Sequence, residues 1–471
     1  MKFLSAPFLL GPTSSISRRL FRSRRVRFLF KVSALILLLS VLEAFYHSQV
    51  SLSIPRPAEQ HNLDEPFTIG CQDVSKLVTR PRENAVLVML ARNSELQEAR
   101  ATIRNVEDKF NKWFKYPVLF LNNEPWSEEF MRVMKETVSG EAKFEVIPEG
   151  IWGPTEGLTE EVMNKYLKQQ EADGVYKGQI AGYHHMCRFY SGEFYSLEAL
   201  KEYKYYWRLE PGVSYSCSLT YDPFLEMARR GKKYGYTVAL WEEPNTCPSL
   251  FRAVDEFRTQ NNIPMHPNWK AMIDTETNWL LKPAPIRWLL GKMLRREHYN
   301  IKGEKWNLCH YWSNFEIADL DFFRGDQYQR LFKHLDKSGG FYRERWGDAP
   351  VHSLAVHLLL EAKELHHFSD IGYYHHPFWQ CPQNAKGRQL LDDVMIGEAS
   401  QKMTEEQEGG FGCRCECGLG NSDDFRMRNN RGICLERMQQ PAAWTRASWW
   451  DLRRRRWPYT VGFDNEGKKV V

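Results

Sequence analysis

Ala85-Val-Leu-Val-Met-Leu-Ala91 is an unbroken apolar run, with no polar residue to mark a solvent face. A strand of this kind is buried on both sides, as in a parallel sheet covered by helices. Arg92-Asn93-Ser94 follows as turn and cap, and residues 95–110 have helical composition. The alternation repeats with a strand at 117–121, a helix at 127–138 and a strand at 144–147. Strands alternating with helices predict an α/β fold with a parallel sheet and right-handed crossovers. Ligands of such sheets bind outside the carboxyl ends of the strands. Further strands are expected at 203–209 and 236–241. Each ends in acid, Glu210 after the first and Glu242 with Glu243 after the second.

Outward from this core the chain changes character. Residues 1–31 carry eight basic side chains and no acidic one; of the 64 basic residues, 56 remain against 59 acidic. The excess charge sits at the two ends, the second block being Arg453 to Arg456, which argues against a nucleic-acid face on the body. An apolar stretch, Val32-Ser-Ala-Leu-Ile-Leu-Leu-Leu-Ser-Val-Leu42, follows the basic run and resumes after Glu43. It reads as a signal-anchor, with a cleaved signal peptide as the alternative. The basic flank would stay cytosolic and put the rest in the lumen. The expected layout is a cytosolic tail at 1–31, an anchor helix at 32–46 and a stem at 47–80. One large catalytic domain at 81–436 and a basic tail at 437–471 complete it. Ten cysteines in an oxidising lumen predict several disulfides, and the Cys413-Arg-Cys-Glu-Cys417 spacing suits disulfides better than zinc. No N-x-[ST] acceptor occurs.

No Walker loop, G-x-G-x-x-G, HExxH or G-x-S-x-G is present. Candidate chemistry rests on carboxylates and histidines. In Tyr206-Trp-Arg-Leu-Glu-Pro-Gly212 the Pro-Gly pair stops the strand and leaves Glu210 at the sheet edge. There it could hold a hard divalent cation, or simply pair with Arg208. Glu316 lies in an aromatic stretch, where a carboxylate needs a partner or a task. Asp319-Leu-Asp321 is formally a D-x-D but reads as structural. His375 and His376 are adjacent, and one of them could reach a metal.

Six ordered segments carry a family resemblance: Ala91-Arg-Asn93, Tyr183-His-His-Met-Cys-Arg-Phe-Tyr-Ser-Gly192, Tyr206-Trp-Arg-Leu-Glu-Pro211, Asn314-Phe-Glu-Ile-Ala-Asp319, Trp346-Gly-Asp-Ala-Pro-Val-His-Ser353 and Ile371-Gly-Tyr-Tyr-His375. From about residue 80 to 436 the chain resembles the fungal α-1,2-mannosyltransferases of glycosyltransferase family 15. The resemblance implies a GT-A-like α/β fold, its mixed, mostly parallel sheet flanked by helices. It implies a Golgi type II membrane enzyme that uses GDP-mannose and Mn2+. Mannose would pass to the 2-hydroxyl of a mannose on an N- or O-linked glycan, with retention of configuration. Association in a Golgi mannosyltransferase complex belongs to the same expectation. By position, Glu210 and His375 would be metal ligands, and Tyr183 and Arg208 would meet the donor phosphates. Arg92 would contact the nucleotide, Asp348 would read the guanine, and Glu242 would hold the sugars. Glu316 would be the nucleophile or the carboxylate that stabilises an oxocarbenium ion. Two other readings stand beside this one, a luminal mannosidase and a catalytically inactive glycan-binding homologue.

Overall fold

The structure, a computed structural model, describes residues 24–52, 65–265, 267–273, 304–389 and 410–416, with shorter pieces between and beyond them. Most of the expected terminal tails lie outside the described residues. Strand β1 (Ala85–Leu90) is indeed buried on both faces. Val86 and Val88 enter one apolar core, while Ala85, Leu87 and Met89 enter the other. That two-sided burial is why the run shows no polar alternation.

Six more strands complete the central sheet: β2 (Val118–Asn122), β3 (Ala142–Val146), β4 (Tyr205–Leu209), β6 (Tyr234–Tyr236), β9 (Glu316–Asp319) and β10 (Leu365–His367). Their order is β10-β6-β9-β4-β1-β2-β3. The pairs β1/β2, β1/β4, β2/β3 and β6/β10 are parallel. Strand β9 runs antiparallel to both its neighbours. The fold is therefore mixed α/β with a mostly parallel sheet. Between the strands run α2 (Leu96–Val106), α3 (Glu128–Thr137), α4 (Glu160–Ala172) and α5 (Ala181–Ser191). Further helices are α6 (Leu250–Gln260), α7 (Asp326–Ser338) and α8 (Asp348–Leu359). Ser127 caps α3 by accepting from Phe130 N, and Thr159 caps α4 by accepting from Val162 N.

The segment 236–241 differs from the single strand expected. β6 ends at Tyr236 and the chain leaves the sheet, so that β7 (Ala239–Trp241) pairs with β8 (Cys309–Tyr311) instead. The Asp319-Leu-Asp321 pair is structural, as expected. Asp319 accepts from Asp321 N at 2.9 Å and caps the short helix Leu320–Arg324. The antiparallel course of β9 also puts Asp319 opposite Tyr205, at the far end of the sheet from Glu210.

The packed body reaches into the segment expected to be stem. Phe67 and Val74 are buried in the core, and Cys71 is bonded to Cys413. Cys217–Cys415 and Cys309–Cys434 are also disulfides, and Cys381 is disulfide-bonded. The Cys413-x-Cys415 pair thus staples residues 410–416 to the body. Cys187 and Cys247 are free and buried.

N-terminal to the body, α1 (Arg24–Leu52) contains the apolar stretch, with Leu35, Leu37 and Leu42 all more than half exposed. Among the described residues no helix is long and apolar enough to cross a membrane.

Candidate active site

Strand β4 ends in Arg208, Leu209 and then Glu210, where Pro211-Gly212 turns the chain, Gly212 with φ +84°. Only a glycine takes that backbone without strain. The turn leads into β5 (Ser214–Tyr215), which pairs antiparallel with β11 (Tyr373–His375). Strand β11 pairs in turn with β12 (Phe378–Gln380). This small sheet brings His375 to the edge where Glu210 ends β4. The His375 ring stacks on Trp312 at 5.1 Å and touches the Asn314 amide. Burial holds its pKa below the ordinary value, against the pull of the Glu210 carboxylate. His376 is exposed in the adjoining turn.

Arg208 is buried and fully engaged. Its Nε and Nη2 donate to Glu210 Oε1 at 3.1 and 2.6 Å, and its Nη1 donates to Asp348 Oδ2 at 2.6 Å. The guanidinium also lies 3.6 Å over the Tyr190 ring. Asp348, at the start of α8, accepts a second bond from Ser313 Oγ at 2.7 Å. Burial alone would raise its pKa, but Arg208 and His352 hold it below the ordinary value.

Glu316 opens β9 directly across from Arg208 and has no exposed surface. Its Oε1 accepts from Tyr206 at 2.7 Å, and its Oε2 lies 3.0 Å from both the Tyr234 hydroxyl, which donates to it, and His352 Nδ1. The other ring nitrogen of His352 is 2.9 Å from the Tyr190 carbonyl, which can only accept. Nε2 also lies 3.1 Å from the Tyr195 hydroxyl, which can donate to it, so with an ionised Glu316 the ring is either the neutral Nδ1–H tautomer or the doubly protonated cation. Burial works against that charge, yet Glu316, Asp348 and the carbonyl raise the His352 pKa above its ordinary value.

The remaining expected residues rim this edge. Tyr183 sits half-buried in the first turn of α5. Arg345 lies 5.4 Å from the Tyr183 ring centre and donates to Glu242 Oε1 at 3.2 Å. Arg92 is exposed just past β1, its backbone N–H bonded to Glu95. The structure therefore gathers Glu210, His375, Arg208, Asp348 and Glu316 around the ends of β4 and β9. The sequence reading gave no role to His352, Tyr206, Tyr234, Asn314 or Arg345. One signal pointed to His352: it lies four residues after Asp348, on the same helical face.

Whether a metal fits can be judged from the donors. Among the described residues no group of three or more His, Cys, Asp or Glu side chains is gathered as a metal site. Glu210 and His375 could supply two ligands, so a nucleotide and water would complete a hard cation's shell. Both Arg208 bonds fall on Glu210 Oε1, leaving Oε2 outside them. Asn314 Oδ1 is buried without a partner while its Nδ2 faces His375 Nδ1. Turning that amide end for end lets Oδ1 accept from Nδ1–H, which leaves Nε2 as the ligand atom. The residues fit a divalent ion.

Residues 46–392 match the family described as glycolipid 2-alpha-mannosyltransferase. The O-glycoside alpha-1,2-mannosyltransferase homolog 4 of Schizosaccharomyces pombe is 36% identical over 402 residues, covering 82% of this chain and 85% of that one. Core-mannan synthase A (CmsA/Ktr4) of Aspergillus fumigatus, solved in a Mn/GDP form, aligns at a TM-score of 0.57 with 35% identity. That alignment covers 67% of this chain and 79% of the other. The mannosyltransferase Ktr4p of S. cerevisiae in complex with GDP aligns at 0.54 with 29% identity, over 70% and 89% of the two chains. The chain belongs to glycosyltransferase family 15 and is a mannosyltransferase.

Proposed function

We propose that this enzyme transfers mannose from GDP-mannose to the 2-hydroxyl of an α-mannoside on a protein-linked glycan. Configuration is retained, and Mn2+ is held by Glu210 and His375. The observation that carries this reading is the β5–β11 pairing, which joins a carboxylate and an imidazole from distant parts of the chain at one sheet edge. The Mn/GDP and GDP forms of the two solved relatives support a nucleotide there.

When bound, the ion supplies positive charge opposite the diphosphate leaving group. Glu210 would offer Oε2 and His375 its Nε2 as ligand atoms, with the Asn314 amide holding the imidazole ring. Tyr183 offers its phenol to the phosphates. Arg92, exposed beyond β1, reaches the nucleotide, and Asp348 has one oxygen left to read the guanine. Glu242, steadied by Arg345, holds the sugars. Glu316 supplies fixed negative charge beneath the reacting mannosyl centre. Its Oε2 is engaged by Tyr234 and His352, while Oε1 accepts only from Tyr206 and keeps a lone pair, so either role, nucleophile or stabilising charge, is open to it. In either role the acceptor enters on the leaving-group side.

The chain is further proposed to be a single-pass type II protein of the Golgi membrane with its catalytic domain luminal. The basic run ahead of the exposed leucines of α1 supports that orientation, and the disulfides suit an oxidising lumen. Membership of a mannosyltransferase complex there is part of the same proposal.

The test is incubation of the full-length chain with GDP-mannose, Mn2+ and methyl α-mannoside, followed by NMR of the product. An α-1,2-linked dimannoside that disappears with EDTA is expected. A β-linked product, or turnover indifferent to EDTA, would overturn the reading.

A further inference from the structure

We propose that Lys177, on the loop between α4 and α5, is a side-chain cation that binds the donor's diphosphate. This inference rests on the donor reading above and names a residue to which that reading gave no role. Its starting point is what Arg208 cannot do. All three Arg208 nitrogens already donate to Glu210 or Asp348 at 2.6 to 3.1 Å. Arg345, the other cation beside Tyr183, is bonded to Glu242. Arg208 is thus tied to two carboxylates of the protein itself, while Arg345 makes one 3.2 Å bond to Glu242 and keeps a buried Nε without a partner.

Lys177 is placed differently. Its Nζ lies 4.6 Å from the centre of the Tyr183 ring and 5.3 Å from that of Tyr176. Among the described residues, no carboxylate oxygen lies within ion-pair distance of it. The cation rests on π faces, which attract it but leave its ammonium hydrogens for a stronger acceptor. The ring it covers is the one expected to meet the phosphates.

The backbone sets where the side chain starts. Lys177 has φ +56°, in the left-handed region. A residue with a β-carbon enters that region at a cost that glycine avoids. The same loop uses glycine at Gly174, φ +66°. Among the described residues, five others with a β-carbon share that region, Lys115, Asn262, His298, Leu308 and Arg414, so the conformation sets where the Lys177 side chain starts without by itself assigning it a task. The loop is also held in place, since His184 Nε2 lies 2.9 Å from the Gly178 carbonyl.

The experiment is isothermal titration of the full-length chain with GDP and with guanosine, in Mn2+. Lys177→Met is compared with Lys177→Arg and with Lys168→Met, an equal loss of charge on the exposed face of α4. Loss of a charged hydrogen bond to phosphate is expected to weaken GDP binding about tenfold in Lys177→Met. Most of that affinity should return in Lys177→Arg, and guanosine binding and Lys168→Met should match wild type. GDP affinity within about twofold of wild type in Lys177→Met, well short of the loss a charged bond implies, would overturn the assignment. So would an equal loss for guanosine, which marks a distorted loop. Failure of the wild type itself to bind GDP would overturn the donor reading, and the role of Lys177 with it.

Discussion

Arg208 and Glu316 stand directly opposite each other on β4 and β9, with Nη1 3.9 Å from Oε1, yet the guanidinium hydrogen bonds go to Glu210 and Asp348. Two negative groups at the sheet end are thereby tied to one buried cation, while Glu316 is satisfied separately by two tyrosines and a histidine. Arg208→Met would leave Asp348 buried with its charge uncompensated. Breaking a buried pair from one side costs about 3–5 kcal/mol. Urea unfolding should show a loss of that size, and Arg208→Lys should recover only part of it, because an ammonium cannot reproduce the forked geometry. A loss below about 1 kcal/mol, the range of an exposed pair, would mean that water reaches Asp348.

Glu316→Gln keeps the shape of the side chain and removes its charge. If Glu316 stabilises positive charge on the mannosyl centre, kcat should fall about 100-fold or more with KM for GDP-mannose little changed. Steady-state kinetics on a variant with wild-type melting behaviour would check this. Turnover close to wild type would remove Glu316 from the chemistry in either of its roles.

The order of the early strands was legible because burial on both faces leaves its mark directly on β1 and β2. Glu210 was legible for a related reason, since Pro211-Gly212 announces where β4 must stop. The antiparallel insertion of β9 was not, because a short strand pairs with a distant partner at Arg208 and leaves no periodicity to read. The segment 236–241 misled for the converse reason. It reads as one continuous strand, but Thr237 and Val238 carry the chain out of one sheet and into a second. Lys177 could not be found from sequence at all, since its place over Tyr183 depends on the backbone of a turn.

His352 gives the site a pH dependence whose sign follows from its partners. Its folded-state pKa is raised above the ordinary 6.5. The stability contributed by its pair with Glu316 is therefore fully present below about pH 6.5 and is lost as pH rises through the folded value. Unfolding free energies of wild type and His352→Gln, measured from about pH 6 to 9 to span that loss, should converge as pH rises. The slope of the difference cannot exceed about 1.4 kcal/mol per pH unit for one proton. A difference that stays flat across this range would show a neutral ring.

Gly372 tests how rigidly His375, the proposed metal ligand, is held. It precedes β11 by one position, and its carbonyl accepts from Ser216 N at 3.0 Å. A β-carbon at Gly372 would lie 2.0 Å from Ser216 Oγ and 2.7 Å from Cys217 Sγ. The hydroxyl can rotate away, but the sulfur cannot, because Cys217 is bonded to Cys415. Gly372→Ala must therefore push β11 away from β5, and His375 moves with the strand. Overpacking of this kind costs about 1–3 kcal/mol. The more telling readout is Mn2+ affinity in the presence of GDP, which should weaken about tenfold or more if Glu210 and His375 share one ion. Removing the obstruction with Cys217→Ser and Cys415→Ser in the same chain should restore part of that affinity even though it lowers stability further. Removing Cys309–Cys434 instead, which lies behind β8, should lower stability and restore nothing. Equal Mn2+ affinity in Gly372→Ala and wild type would separate His375 from the metal.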